Sequence, residues 1–251
     1  MQVMVASEPT PGQVNEDYAI VGQTWAAVLD GATAPPRLAS GCIHDVPWLV
    51  RHLAGNLAHT LTVDPNMPLP DAVAAVITAT CAAHEKTCDL TNPDSPSSTV
   101  TVLRLRNGHL DYLALADSPL LVDDGQVTVI TDDRTAHLRD YSYAGVSAAR
   151  NTPGGFYVAS TRPDAAYHAV AGSIPVAAIR RAALLTDGAS RLADYFKRLT
   201  WAELLTAIIT DGPAGVIAAT REIERAGGGR LDGRRRKLHD DASIILLTLR
   251  T

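Results

Sequence analysis

Short apolar runs that begin or end on an acidic residue are the feature of this sequence that most limits its fold. Residues 25–29 are wholly apolar and stop at Asp30, which Gly31 follows. Without polar alternation, such a run predicts a strand buried on both faces. Asp-Gly is a common hairpin-turn pair, so this pair taken alone favours a turn. Similar arrangements recur at further acids along the chain, namely Glu16, Asp17, Asp117, Asp187, Asp240 and Asp241.

The pattern of elements predicts an α+β fold in which helices cover antiparallel sheets. Alternating runs on either side of Asn107-Gly108 and of Asp124-Gly125 predict two β-hairpins. Helices are expected over residues 38–62, 70–88, 200–211 and 213–226, where Pro47 either kinks the first or marks a new start. Strands are expected at residues 3–7, 17–22, 24–30, 98–106, 109–117, 119–123, 126–130, 156–160, 181–187 and 242–250. Strands resume directly after each long loop, which predicts one domain over residues 1–251.

Composition argues against several classes of function. Aromatic residues make up 5% of the chain and the formal net charge is −5, so a surface that binds nucleic acid or anionic lipid is not expected. The basic run at 233–237 is glycine-flanked and is interpreted as a solvated loop. Residues 1–12 lack a basic start and have only a five-residue apolar stretch, so they are not expected to form a signal peptide, and no window approaches the ~18 consecutive apolar residues of a membrane span. We therefore expect a cytoplasmic protein with no nucleic-acid or membrane partner.

The cysteines also bear on the compartment. Cys42, Cys81 and Cys88 show no C-x-x-C spacing, and the last two are too far apart along a helix to form a disulfide. This usage predicts buried or inert thiols in a reducing environment.

The acids at the strand ends need compensating charge if the fold brings them together. Buried carboxylates cost several kcal/mol each unless they are paired, and these motifs contain no matching set of Lys and Arg. Mg²⁺ and Mn²⁺ prefer oxygen ligands and use only a few carboxylates each. The set therefore predicts a divalent metal site in which Asp30 is a ligand.

The order of these motifs resembles that of a known family. Five motifs occur in sequence order, namely N-E-D at 15–17, V-L-D-G at 28–31, A-D-S at 116–118, L-T-D-G at 185–188 and D-D-A-S at 240–243. Together they resemble the metal-dependent protein phosphatases of the PPM, or type 2C, class. The resemblance implies two central antiparallel β-sheets sandwiched between helical layers. It also implies a binuclear Mn²⁺ or Mg²⁺ centre with a third, weaker metal site.

The resemblance also implies roles for the matching positions. Asp30 would bridge both metals, Glu16 and the Gly31 carbonyl would complete the ligands of one, and Asp187 and Asp240 would bind the other. Catalysis would then depend on Asp30, Asp187 and Asp240 through a water between the cations that attacks phosphorus in line.

The remaining acids have subsidiary implied roles. Asp17 would bind through water or support the other ligands, and Asp117 would serve the third metal. Aligning D-D-A-S with the family motif favours Asp240 over Asp241 as the ligand.

Phosphate recognition is where the sequence departs from the family. The arginine that the family carries shortly before N-E-D is absent, because residues 10–14 read T-P-G-Q-V. Arg37, Arg134 and Arg150 are candidates for that role, since a guanidinium fork suits phosphate. His44 is a candidate general acid, although a lone histidine on a helix is more often packed or capping.

The sequence thus predicts a phosphomonoesterase that acts on phosphoserine or phosphothreonine in proteins, with a cognate kinase as a conceivable partner. The departures leave two alternatives open. One is the same chemistry on a small phosphorylated metabolite, and the other is a catalytically weak binding module of the same fold.

Overall fold

Two five-stranded antiparallel sheets form the centre of the molecule. The structure, a computed structural model, describes residues 2–32, 39–227 and 238–249. In spatial order the first sheet contains β1 (Gln2–Glu8), β12 (Ala242–Thr248), β11 (Arg181–Leu185), β8 (Leu120–Asp123) and β9 (Val127–Ile130). The second contains β10 (Val170–Pro175), β7 (His109–Leu115), β6 (Val100–Arg106), β3 (Trp25–Leu29) and β2 (Tyr18–Val21). A short pairing joins β4 (Gly31–Ala32) to β5 (Ser97–Ser98).

Helices cover the outer face of each sheet. The second sheet packs against α1 (Val46–Val63) and α2 (Leu69–His84). The helices that follow are α3 (Tyr143–Ala149), α4 (Asp187–Ser190), α5 (Trp201–Thr210) and α6 (Gly212–Arg225), of which the last three pack against the first sheet. Short 3-10 turns occur at Asp133–His137, Pro163–His168 and Val176–Ala178.

Alternation of side chains along the central strands produces three apolar layers. In β3, Trp25, Ala27 and Leu29 pack towards α1 and α2, whereas Ala26 and Val28 face the first sheet. The same alternation in β12 directs Ile244 and Leu246 to the helices, and Ile245 and Leu247 to the second sheet. Strands buried on both faces confirm the predicted sandwich of two sheets between helical layers.

Both predicted hairpins are confirmed. Arg106 pairs with His109 across the first turn, and Asp123 pairs with Val127 across the second. Asn107 and Gly108 adopt φ values of 50° and 75°, the left-handed conformation that a two-residue hairpin turn requires.

Several predicted boundaries are wrong. The first helix begins at Val46 rather than at residue 38, because the Asp45 side chain caps it and Pro47 occupies its first turn. Residues 156–160 make isolated bridges instead of a strand, whereas β10 forms from a segment with no continuous apolar run. Within the described residues, no helix is both long enough and apolar enough to cross a lipid bilayer.

Candidate active site

A cleft of about 620 Å³ lies where the ends of the central strands meet. Asp30 follows β3, Asp117 follows β7, Asp187 follows β11, and Asp240 precedes β12. All four aspartates line the cleft, together with Gly31. The fold therefore brings together acids from four separate segments of the chain.

Asp30 and Asp187 are in direct contact. The backbone N–H of Asp187, at the start of α4, donates to Asp30 Oδ2 at 3.2 Å. The backbone N–H of Asp30 in turn donates to Thr99 Oγ1 at 3.0 Å, and Thr99 N–H donates to the Asp30 carbonyl at 2.9 Å. These bonds fix the end of β3 against β6 and orient the carboxylate towards α4.

Glycine follows both of these aspartates because a neighbouring backbone passes too close for a side chain. A Cβ at Gly31 would lie 2.6 Å from the Glu16 carbonyl oxygen, and one at Gly188 would lie 1.9 Å from the Asp241 carbonyl oxygen. The two Asp-Gly pairs are thus close-packing positions that bring the segments of Glu16 and Asp241 against Asp30 and Asp187.

Asp17 is buried and belongs to a hydrogen-bonded network. Thr186 Oγ1 donates to Asp17 Oδ2 at 2.7 Å and accepts from the Ser243 N–H at 2.9 Å. This network connects the start of β2 to the ends of β11 and β12. Glu16 is half-buried beside it.

The two aspartates of the D-D-A-S motif have different partners. Asp241 accepts backbone N–H groups from Thr10 at 2.6 Å and from Glu16 at 2.5 Å, so both its oxygens hold the segment that leads into β2. Asp240 lines the cleft instead. This arrangement favours Asp240 over Asp241 as a ligand to anything bound there.

The turn before Asp117 is locally strained. Ala116 adopts φ = 68°, which costs of order 1–3 kcal/mol for a residue with a Cβ and is frequent at functional sites. Thr135 Oγ1 donates to Asp117 Oδ2 at 2.8 Å and orients the carboxylate.

Mutual repulsion and loss of hydration perturb these acids. Burial, followed by the charges of Asp187, Asp17, Asp240 and Asp117, raises the pKa of Asp30 well above its usual value. Asp187 also lines the cleft. Burial by the surrounding protein, followed by repulsion from Asp240 and Asp117, raises its pKa to about 6. Such clustering of negative charge is typical of sites that bind cations.

The donor set fits hard divalent cations in its chemistry. Every converging side chain offers carboxylate oxygen, the ligand type that Mg²⁺ and Mn²⁺ prefer. In their present side-chain arrangement, the described residues include no group of three or more His, Cys, Asp or Glu that could hold a metal ion. Binding would therefore require the carboxylates to come closer together, which their mutual repulsion opposes and a cation would favour.

Of the three predicted phosphate-binding arginines, Arg37 lies outside the described residues, and the other two bind protein groups. Arg134 makes a bidentate pair with the buried Asp132 at 2.7 and 2.6 Å and stacks on the Tyr157 ring. Arg150 donates to the carbonyl oxygens of Pro93 and Ser95. These contacts favour structural roles for both side chains.

His44 does not line the cleft. Its ring stacks on that of Trp48 at 3.9 Å between centroids, in a small separate pocket next to Cys42. The structure thus favours a packed histidine over a general acid.

Sequence reasoning missed Arg191, Asp133 and Asp194, which also line the cleft. Arg191 Nη2 lies 3.4 Å from Asp240 Oδ2, and its Nη1 donates to the Leu238 carbonyl at 3.1 Å. Its position four residues after Asp187, one helical turn along, was the signal available in the sequence.

A buried carboxylate anchors Arg191 from the opposite side. Glu224 of α6 is fully buried and pairs with Arg191, with Arg221 at 2.9 Å and with His239 Nδ1 at 2.6 Å. Arg191 contacts Asp240, and His239 directly precedes it in the chain. By pairing with both residues, Glu224 therefore holds the Asp240 segment at two points.

Comparison with family models identifies one matching family. The model of the family described as Protein phosphatase 2C matches residues 7–214. The comparison with curated proteins gave no significant match.

Similar solved structures cover nearly the whole chain. The Mycobacterium tuberculosis serine/threonine phosphatase PstP/Ppp has a TM-score of 0.64 at 17% identity, over 100% of this chain and 99% of that one. The Staphylococcus aureus serine/threonine phosphatase Stp1 has a TM-score of 0.66 at 12% identity, over 100% and 95%. The PPM Ser-Thr phosphatase MsPP from Mycobacterium smegmatis, in complex with cacodylate, has a TM-score of 0.61 at 18% identity, over 99% and 98%.

Proposed function

Because this chain belongs to the protein phosphatase 2C family, we propose that it is a Mn²⁺- or Mg²⁺-dependent phosphomonoesterase acting on phosphoserine and phosphothreonine in proteins. The observation that carries the proposal is the convergence of Asp30, Asp117, Asp187 and Asp240 in one cleft. Residues 1–251 would form one phosphatase domain, and the phosphorylated substrate, with its kinase, would be the partners.

The ligand assignment is part of the proposal. Asp30 would bridge two cations, with Glu16 and the Gly31 carbonyl on one side and Asp187 and Asp240 on the other. Two further acids complete the set, Asp17 as a support or water-mediated ligand and Asp117 at a third site. A catalytic domain of PstP, a similar structure with a TM-score of 0.61, was solved in complex with two manganese ions.

When bound, divalent cations would activate water as a nucleophile near neutral pH and would neutralise charge on the phosphoryl oxygens. The chain's own residues orient these ligands. Thr99 and the Asp187 N–H position Asp30, Thr135 positions Asp117, and Arg191 restrains Asp240.

The cleft suits a phosphorylated side chain within a peptide. Its volume falls within the range of small-ligand sites, and Tyr141, Tyr195 and Trp201 add aromatic lining beside the acids. Among the described lining residues, Arg191 is the one arginine or lysine. Arg37, Arg134 and Arg150 remain proposed phosphate contacts, the last two only if they exchange their present partners.

The test is Mn²⁺-dependent hydrolysis of a phosphothreonine peptide. Activity should appear with Mn²⁺ and disappear with chelator, and Asp30→Asn and Asp187→Asn should each lower kcat/KM at least ~100-fold, since even outer residues of metal sites cost 10–100-fold. Asp211→Asn, an exposed aspartate at the end of α5, is the matched control and should retain activity. Undiminished hydrolysis by both site variants would refute the ligand assignment.

A parallel panel of small phosphorylated metabolites separates substrate classes. Preference for the peptide supports the proposal, whereas turnover confined to metabolites would assign the same chemistry to a different substrate. No turnover of any phosphoester would reject an enzymatic function and favour a binding module.

A further inference from the structure

Cys42 and Cys88 are in contact, although 46 positions separate them in the sequence. Their Sγ atoms lie 3.1 Å apart, within reach of an S–H···S hydrogen bond. Both thiols are partly exposed, as is Cys81, so of the predicted buried or inert thiols the structure does not show full burial.

Hydrogen bonds to backbone carbonyl oxygens join the two loops that carry these thiols, independently of the sulfur atoms. Three hydrogen bonds connect them, from Asp89 N–H to Gly41 O at 2.8 Å, from Asn92 Nδ2 to Ala39 O at 2.9 Å and from Ser95 Oγ to Ser40 O at 3.3 Å. Gly41 has φ = 71°, and a Cβ there would lie 2.9 Å from Asn92 Cβ, so the close approach requires glycine. The thiol pair is thus placed by the surrounding structure.

The two thiols differ in acidity. Burial and then the contact with Cys88 raise the pKa of Cys42 to about 11. Burial acts to raise the pKa of Cys88 too, but hydrogen bonds from Cys42 and from the Ile43 N–H outweigh it and lower that pKa. Because the thiolate is the nucleophile, the lowered pKa favours Cys88 as the first thiol to react, with Cys42 Sγ 3.1 Å away as its neighbour.

We propose that Cys42 and Cys88 form a hydroperoxide-reactive dithiol, in which Cys88 is oxidised first and Cys42 resolves it to a reversible intramolecular disulfide. This site is independent of the proposed phosphatase centre. The sulfur atoms need to approach by only about 1 Å to reach disulfide bonding distance.

The chemistry balances with the peroxide as oxidant. The Cys88 thiolate attacks one peroxide oxygen, the O–O bond breaks, and hydroxide or alkoxide leaves, which produces a sulfenic acid at Cys88. Cys42 Sγ then forms the S–S bond, and the hydroxyl departs as water with the Cys42 proton. A thiol reductant reverses the step by disulfide exchange.

The disulfide would join the loop before α1 to the segment after α2 and close a long loop of chain. Constraint of the unfolded state then predicts a rise of roughly 10 °C in the thermal midpoint for a chain of this size. Reduction should return the midpoint to its starting value.

The test treats the reduced full-length chain with stoichiometric hydrogen peroxide, alkylates the remaining thiols and maps the peptides by mass spectrometry. A linked Cys42–Cys88 peptide that reductant releases, with Cys81 alkylated, is the expected result. Equal oxidation of Cys81, or disulfides mainly between two chains, would overturn the proposal, as would no linked peptide.

Variants assign the two roles. Cys42→Ser should leave a sulfenic acid at Cys88 that dimedone labels, whereas Cys88→Ser should remove rapid peroxide consumption. Cys81→Ser is the matched control and should form the disulfide at the wild-type rate. Rapid oxidation of Cys42 in Cys88→Ser would overturn the order of attack.

Discussion

Glu224 offers the sharpest test of how the cleft is supported, through the substitution Glu224→Gln. The wild-type carboxylate is fully buried and pairs with Arg191, Arg221 and His239, and both arginine side chains are only 8% exposed. Removing one partner of a buried ion pair costs ~3–5 kcal/mol. Because Arg191 keeps Leu238 O and Arg221 keeps Pro9 O, we expect the lower end, about 3 kcal/mol of unfolding free energy.

Urea unfolding at pH 7 and 25 °C measures this loss. Glu222→Gln, an exposed neighbour on the same helix, is the control and should change stability by no more than ~0.5 kcal/mol. A loss below about 1 kcal/mol in Glu224→Gln would refute the reasoning, since the charge would then be dispensable.

The pH dependence supplies a second measurement. Burial opposes ionisation of Glu224, but hydrogen bonds from His239 and Arg221 and the charge of Arg191 outweigh it and lower its pKa below the usual 4.5. A carboxylate with a depressed folded-state pKa adds stability above its unfolded pKa and loses it as pH falls through the folded pKa. The difference between wild type and Glu224→Gln should therefore be full at pH 7 and shrink below about pH 4.5.

The effect on metal binding distinguishes support of the cleft from stability alone. If Arg191 and His239 position Asp240, calorimetric titration at pH 7 should show Mn²⁺ binding weakened ~10-fold in Glu224→Gln. Unchanged Mn²⁺ affinity in a folded variant would confine Glu224 to a structural role.

Two further substitutions test the packing around the aspartates. Gly188→Ala places a methyl group 1.9 Å from the Asp241 carbonyl oxygen, so the chain must shift there. We expect this variant to lose ~1–3 kcal/mol of stability in thermal unfolding. An unfolding midpoint equal to that of the wild type would contradict the close approach. Asp241→Ala removes both acceptors for the Thr10 and Glu16 N–H groups and should cost ~2–4 kcal/mol of unfolding free energy by urea titration. The control, Asp124→Ala in an exposed turn, should cost under ~1 kcal/mol. Equal losses in the two variants would argue against the assigned role of Asp241.

Local signals account for the elements that were predicted correctly. The hairpin at Asn107-Gly108 depends on two adjacent residues that tolerate positive φ, and the strand at 25–29 depends on an apolar run that only a doubly covered sheet can bury. Where the local signal was weak or ambiguous, the predictions were wrong. The segment at 156–160 has strand-like residues but lacks a continuous partner strand, and β10 forms on the edge of a sheet with mostly exposed side chains.

The sequence by itself determined the α+β class, with helices on antiparallel sheets, and which acids stand at strand ends, because hydrophobic periodicity and turn chemistry are local properties. The arrangement of two sheets between helical layers was implied by the order of family-like motifs along the whole chain. Only the tertiary structure decided which side chains meet. Asp30 and Asp187 are in contact although 157 positions separate them in the sequence. Arg134 binds Asp132 and the His168 carbonyl instead of lining the cleft, whereas Arg191 does line it. Contacts of this kind depend on how two sheets stack, and no residue pattern within one segment encodes that distance.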